Sequence, residues 1–101
     1  MNRLVLQAQL VERRGLRYTP AGLPALDFSL RHASEQVEAG HPRKVAVELR
    51  AVAIGEVTRT LNVLDVGAER GFAGFVGAQR NGRGVVFHVT EVTAEGADPS
   101  A

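Results

Sequence analysis

Arg80 and Arg83 bracket an Asn81-Gly82 pair in the stretch GAQRNGRGVVFH, residues 77–88. Asn-Gly tolerates the positive φ of a type I′ turn, so the pair predicts a tight hairpin reversal. Two guanidinium groups on such a finger suit phosphate oxygens, because arginine carries a planar, permanently charged fork. The plain alternative is a solvated turn. A second basic group, Arg13, Arg14 and Arg17, stands next to Tyr18, the single tyrosine, whose ring suits either base stacking or packing at the edge of the domain. A third group is His41, Arg43 and Lys44, in a polar stretch where the imidazole and the two cations could meet nucleic acid.

Other chemistry finds no support. His32, His41 and His88 are far apart, with no second ligand at metal spacing, so no metal site is expected. The chain has no cysteine, hence no disulfide and no thiolate nucleophile. Ser29 and Ser34 lack a histidine–carboxylate pattern, and no glycine-rich phosphate loop precedes a helix. Neither an enzyme nor a cofactor is expected.

Net charge is only +1, but its distribution is uneven. Residues 1–90 hold twelve Lys/Arg against eight Asp/Glu, and eleven of those cations are arginine. Glu91, Glu95 and Asp98 make the end of the chain acidic, and residues 94–101 read as a disordered tail after one domain spanning 1–93. No apolar run approaches the ~18 residues of a membrane span. Met1-Asn2-Arg3-Leu4 lacks the apolar core of a secretory signal, so a cytoplasmic location is expected.

The elements that must position these residues are strands. Leu4, Leu6, Ala8 and Leu10 alternate with polar neighbours, and Gly15 marks a candidate bulge or kink. After the turn Thr19–Pro24, Leu26, Phe28, Leu30 and His32 alternate again. Ser34–Pro42 is polar and reads as an exposed loop. Val45, Val47 and Leu49 begin a long third strand to Ile54, and residues 55–61 form a short helix or an irregular connection. Phe72 and Phe75 fall on opposite faces of a fourth strand whose Gly71, Gly74 and Gly77 imply sharp curvature or close backbone approach. Phe28, Phe72 and Phe87 read as core; Phe75 reads as secondary core, stacking platform or subunit contact. Arg70 falls on the inward face and is expected at a rim or against a second subunit, since burial would demand a carboxylate. Val85–Val92 is the fifth strand, and His32 and His88 read as structural hydrogen-bonders at strand ends. Five strands with one short connection after the third describe an all-β, five-stranded OB-fold barrel. An SH3-like barrel is the nearest alternative.

The same residues resemble a known family. Asn2-Arg3-Leu4-Val5-Leu6, Gly22-Leu23-Pro24, Phe28-x-Leu30-x-His32-x-Ser34, Glu38-Ala39-Gly40, Val66-Gly67, Gly74-Phe75-Val76, Asn81-Gly82 and His88 follow the order and spacing of the bacterial primosomal replication protein N (PriB) family. The resemblance covers about residues 2–92. It implies a homodimer of OB barrels that binds single-stranded DNA without catalysis, and acts in replication restart with a restart helicase and later primosome loading factors. The nucleic-acid residues the resemblance implies are Arg80 and Arg83, Arg17 approximately, and the position of His41; with Tyr18, Arg43 and Lys44 from the residue reading above, they make up the expected site. The implied subunit contact is the first strand, through Leu4, Val5, Leu6 and Val11, because Val5 and Val11 leave apolar surface on its polar face.

The chain also departs from the family pattern. Two groove aromatics of the family align with His41 and Ala46, and a basic position aligns with Ala33. Stacking is worth roughly 1–3 kcal/mol per base, so these losses weaken affinity by about one to three powers of ten. The expectation is weak, salt-sensitive binding, or a scaffold that docks a helicase while its DNA binding is vestigial.

Overall fold

The computed structural model describes residues 1–80 and 82–94. In chain order the elements are β1 (Leu4–Arg13), β2 (Arg17–Tyr18), β3 (Pro24–Glu38), β4 (His41–Ile54), α1 (Val57–Val63), β5 (Glu69–Ala78) and β6 (Val85–Val92). Asn81 and residues 95–101 lie outside the described residues, and with them most of the expected acidic tail.

The strand order β1-β5-β6-β4-β3 closes on itself because β1 also pairs with β3. Closure leaves no edge within that ring. One strand serves two neighbours by bending. Residues 4–9 of β1 pair with β5, and residues 9–13 pair with β3, with the register shifting between Leu10 and Glu12. Val11 is the extra residue of that bulge, so the bend expected at Gly15 falls four residues earlier. Bulges increase local twist, which is what lets a strand turn a barrel corner. β4 and β6 pair in parallel, the remaining strands in antiparallel, giving a mixed five-stranded OB-fold barrel. The two-residue β2 adds to the outside of β3.

Alternation supplies the core. Leu10, Leu26, Leu30, Phe72, Phe87 and Val89 are fully buried, and Phe28 packs on Phe72 with ring centroids 6.5 Å apart. The segment read as helix or irregular connection is the helix α1, which closes one end of the barrel with Leu61 and Thr58 buried. Its backbone carbonyls are satisfied from β1: the Arg13 guanidinium donates to Leu61 O at 3.1 Å and also to Leu64 O. A cation at a helix C-terminus complements both the orphan carbonyls and the dipole. Arg13 thus leaves the basic cluster and becomes a structural tie.

The polar stretch 34–42 is not a loop. β3 and β4 run as one hairpin with unbroken pairing from Ala25↔Ile54 to Glu38↔His41. Ala39 (φ 52°) and Gly40 (φ 78°) make the reversal, the paired positive φ values that a two-residue hairpin turn uses. Beyond the barrel both faces of this hairpin meet solvent, so the apolar half of the alternation is missing. That is why sequence periodicity does not reveal it. His32 consequently lies within a strand, where its Nδ1 is 2.7 Å from Gln7 O and its Nε2 2.8 Å from Ser34 Oγ. It bridges β3 to β1 just where their ladder ends. Arg70 is half-buried and donates to Glu69 O at 2.7 Å, at the rim where β1 and β5 part.

Candidate nucleic-acid interface

The outward row that crosses the sheet is set by register. Asp27 of β3 pairs with Val52 of β4, Val52 with His88 of β6, and His88 with Phe75 of β5. Their neighbours Phe28, Ala51 and Phe87 point into the core, so these four face the other way; Val52 is still buried (8% exposed), while Asp27, His88 and Phe75 reach solvent.

Cations gather at the Asp27 end. Arg17 Nε and Nη2 donate to the two Asp27 carboxylate oxygens at 2.7 and 3.2 Å. Those bonds hold the Asp27 carboxyl below the usual carboxylate range; partial burial opposes them, and the charges of Arg17, Arg14 and Arg80 add to the lowering. Arg14, in the segment after β1, and Arg80, in the loop after β5, thus act on the same carboxylate on the outward face of β3. The Arg17 guanidinium, in turn, is raised by the same bond and by the Asp27 charge. Because the folded Asp27 is the more acidic, the pair stabilises fully above the unfolded carboxylate value near ~3.9 and loses its contribution as pH falls below that through the lowered folded value. Both side chains are more than a third exposed (44% and 39%), so solvent screening keeps the contribution under about 1 kcal/mol. Thermal melts of wild type and Asp27→Asn are expected to differ by a few degrees at neutral pH and to converge as the pH falls below the unfolded carboxylate value; a gap that stays constant with pH would show that this carboxylate is not the titrating group.

The turn carrying Arg80 and Arg83 is wider than the Asn-Gly pair suggests. Gln79 N–H donates to Gly84 O and Gly82 N–H to Gln79 O, at 3.2 and 2.9 Å. Gly82 and Gly84 take φ values of 75° and 74°, so both glycines are needed for the reversal. Asn81 itself lies outside the described residues. Arg80 and Arg83 are exposed on this loop.

The hairpin group is separate. His41, Arg43 and Lys44 sit near the far end of β4, with Lys44 six residues, about 20 Å, beyond Arg50 on the same face. Alternation puts His41 and Arg43 on the opposite face from Lys44, and Arg43 donates to the Glu38 carboxylate. Tyr18 also parts from the cations: it lines a shallow cavity of about 230 Å³ with Leu16, Pro24 and the α1 residues Thr58, Arg59 and Asn62. The expected residue set omits Arg14 and Arg50. Arg50 pairs with Ser29 on the outward face of β4, between Val52 and Lys44, and its place in the alternation next to inward-facing Leu49 was the available signal.

On β1, Leu4 packs against the core and Leu6 lies opposite buried Phe72, while Val5 faces outward opposite Ala73 and Val11 occupies the bulge. Residues 4–8 pair with β5 alone, so their other edge carries no strand among the described residues. Among those residues no group of three or more His, Cys, Asp or Glu is placed to hold a metal. No helix there is long and apolar enough to cross a membrane.

A closed five-stranded barrel with arginines on its outward face is the form of an oligonucleotide-binding domain. A family model described as another single-strand binding protein family matches residues 2–91. The replication restart protein PriB of Bordetella pertussis is 46% identical over 80 residues, covering 79% of this chain and 75% of that one. PriB of Nitrosomonas europaea is 32% identical over 91 residues, covering 89% and 84%. The solved structure of PriB from Ralstonia solanacearum superposes with a TM-score of 0.85 at 32% identity, covering 92% of this chain and 96% of that one. This chain belongs to the PriB family of replication restart proteins. The likeness to a single-stranded DNA-binding domain from Synechococcus, TM-score 0.69 at 24% identity, is one of fold.

Proposed function

We propose that this protein is a non-catalytic, single-stranded DNA-binding accessory protein of replication restart. The observation that carries the reading is membership of the PriB family, together with Arg17 paired to Asp27 on the outward face of the barrel, where Arg14 and Arg80 add their positive charge. The phosphate path runs from Arg80, Arg83 and Arg14 past Arg50 toward Lys44, along the outward face of β4. Arg17 holds Asp27 more than it binds phosphate, since its charge is already matched. Two copies pair through the unoccupied edge of β1, with Val5 and Val11 alongside. A restart helicase and later loading factors are the protein partners, and the protein works in the cytoplasm at replication forks.

A second reading is a helicase-docking scaffold with vestigial DNA binding. It draws support from Arg17 and Arg43, whose charges are matched by Asp27 and Glu38. Fluorescence anisotropy of labelled oligo-dT separates the two. Micromolar binding at low salt that weakens steeply as salt rises is expected, because each phosphate neutralised on a single strand contributes about −0.7 to the log–log slope. No binding at low salt would leave the scaffold reading in place.

A further inference from the structure

We propose that the Phe75–His88 ring pair on the outer face of β5 and β6 is a stacking platform for a base of the bound single strand. The inference rests on the DNA-binding reading above and supplies what that reading lacks, a ring on the cationic side.

Four of the five aromatic side chains are unsuited to the task. Phe28, Phe72 and Phe87 are buried; Tyr18, although 67% exposed, lines the cavity beside α1, with no second ring among the described residues stacked on it to hold it in place. Phe75 is 42% exposed although it stacks on His88, with ring centroids 4.7 Å apart and planes 6° from parallel. An exposed phenylalanine backed by a second parallel ring has little rotamer freedom left to lose on binding. The backbone leaves little spare room beside this pair: a Cβ at Gly77 would lie 3.1 Å from His88 Nε2, so a side chain there would crowd the imidazole by a few tenths of an ångström. The chain thus keeps glycine beside the ring pair.

The surroundings fit a nucleotide better than an apolar partner. Phe75 is three strands from Asp27, about 14 Å along the outward row, and Arg80 follows β5 by two residues. On the other side, Leu4 pairs with Gly74, so one further step of the register sets Arg3 level with Phe75. Asn2 fixes that entry, accepting from Val76 N–H at 2.9 Å and donating to Val76 O at 2.6 Å. A flat apolar ring between two cations is the pattern of a site that takes a base with its flanking phosphates. An apolar protein surface would leave those guanidinium charges to be desolvated.

The test compares oligo-dT with an abasic oligomer of equal length, on the full chain and on Phe75→Ala and Phe75→Trp. Phe75→Ala is expected to weaken oligo-dT binding about 5- to 150-fold, the range for one stacked base, with the salt slope unchanged. Its abasic binding should match wild type. The chain has no tryptophan, so Phe75→Trp gives a single tryptophan, excited selectively over Tyr18, whose emission is expected to be quenched by oligo-dT and not by the abasic chain. This variant also carries the test should Phe75→Ala fold poorly. Equal oligo-dT affinity in wild type and Phe75→Ala overturns the inference. So does an equal loss for both oligomers, or a change in sedimentation mass without a base-dependent loss, which would mark a self-association face. Failure of the wild type itself to bind oligo-dT overturns the parent reading as well, and the wild-type titration alone reports it.

Discussion

Replacing Gly74 with alanine is expected to lower the melting temperature by on the order of 10–20 °C. A Cβ at this position would lie 1.8 Å from the carbonyl oxygen of His88 and 2.9 Å from its carbonyl carbon. Both are backbone atoms, so no side chain can swing away. The close approach arises at the bulge where Ala73 pairs with Glu91 but Gly74 pairs with Val89, leaving Thr90 as the extra residue. Overpacking costs about 1–3 kcal/mol and occasionally more, and here the backbones of β5 and β6 must part in the middle of a closed barrel. Reduced freedom of the unfolded chain offsets only about 0.4–1 kcal/mol. In a domain of this size 1 kcal/mol corresponds to roughly 4–8 °C. Gly15→Ala is the control, since nothing lies within 4 Å of a Cβ there. Melting followed by circular dichroism should show that control at or a few degrees above wild type; a Gly74→Ala protein melting with wild type would refute the close-approach argument.

A large effect on both affinity and salt dependence is expected from the double variant Arg80→Ala/Arg83→Ala. Both residues are exposed on a loop outside the core, so the melting temperature should stay near wild type. At low salt, affinity for oligo-dT should fall about tenfold or more, since a hydrogen bond to a charged group contributes about 1.5–3 kcal/mol and 1.4 kcal/mol is tenfold. The salt slope should flatten by about 0.7 for each phosphate that is no longer neutralised. Arg43→Ala should do less, because that guanidinium is already matched by Glu38. Anisotropy titrations at several salt concentrations measure both quantities. An unchanged slope in the double variant would remove this loop from the phosphate path.

The barrel itself was legible in the residues. Alternation at Leu4–Leu10, Leu26–Leu30 and Val85–Val89 marks half-buried strands, because a strand shows successive side chains to opposite faces. The glycine density at 71–77 announced close backbone approach, and Gly74 bears that out. Where alternation loses its apolar half, the reading failed. Residues 34–42 form the end of a hairpin exposed on both faces, so nothing in their hydrophobicity distinguishes strand from loop.

The interface divides along the same line. The sequence by itself determined which side chains are available: eleven arginines, one lysine, one tyrosine and four phenylalanines. Only the tertiary structure decided what each one does. Arg13 went to the carbonyls of α1, Arg17 to Asp27 and Arg43 to Glu38, while Arg14 and Arg80 act on the same carboxylate from segments more than sixty residues apart. Strand pairing is non-local, so the partner of a charge depends on which strands become neighbours and in what register. That information resides in the closed sheet and not in any stretch of the chain.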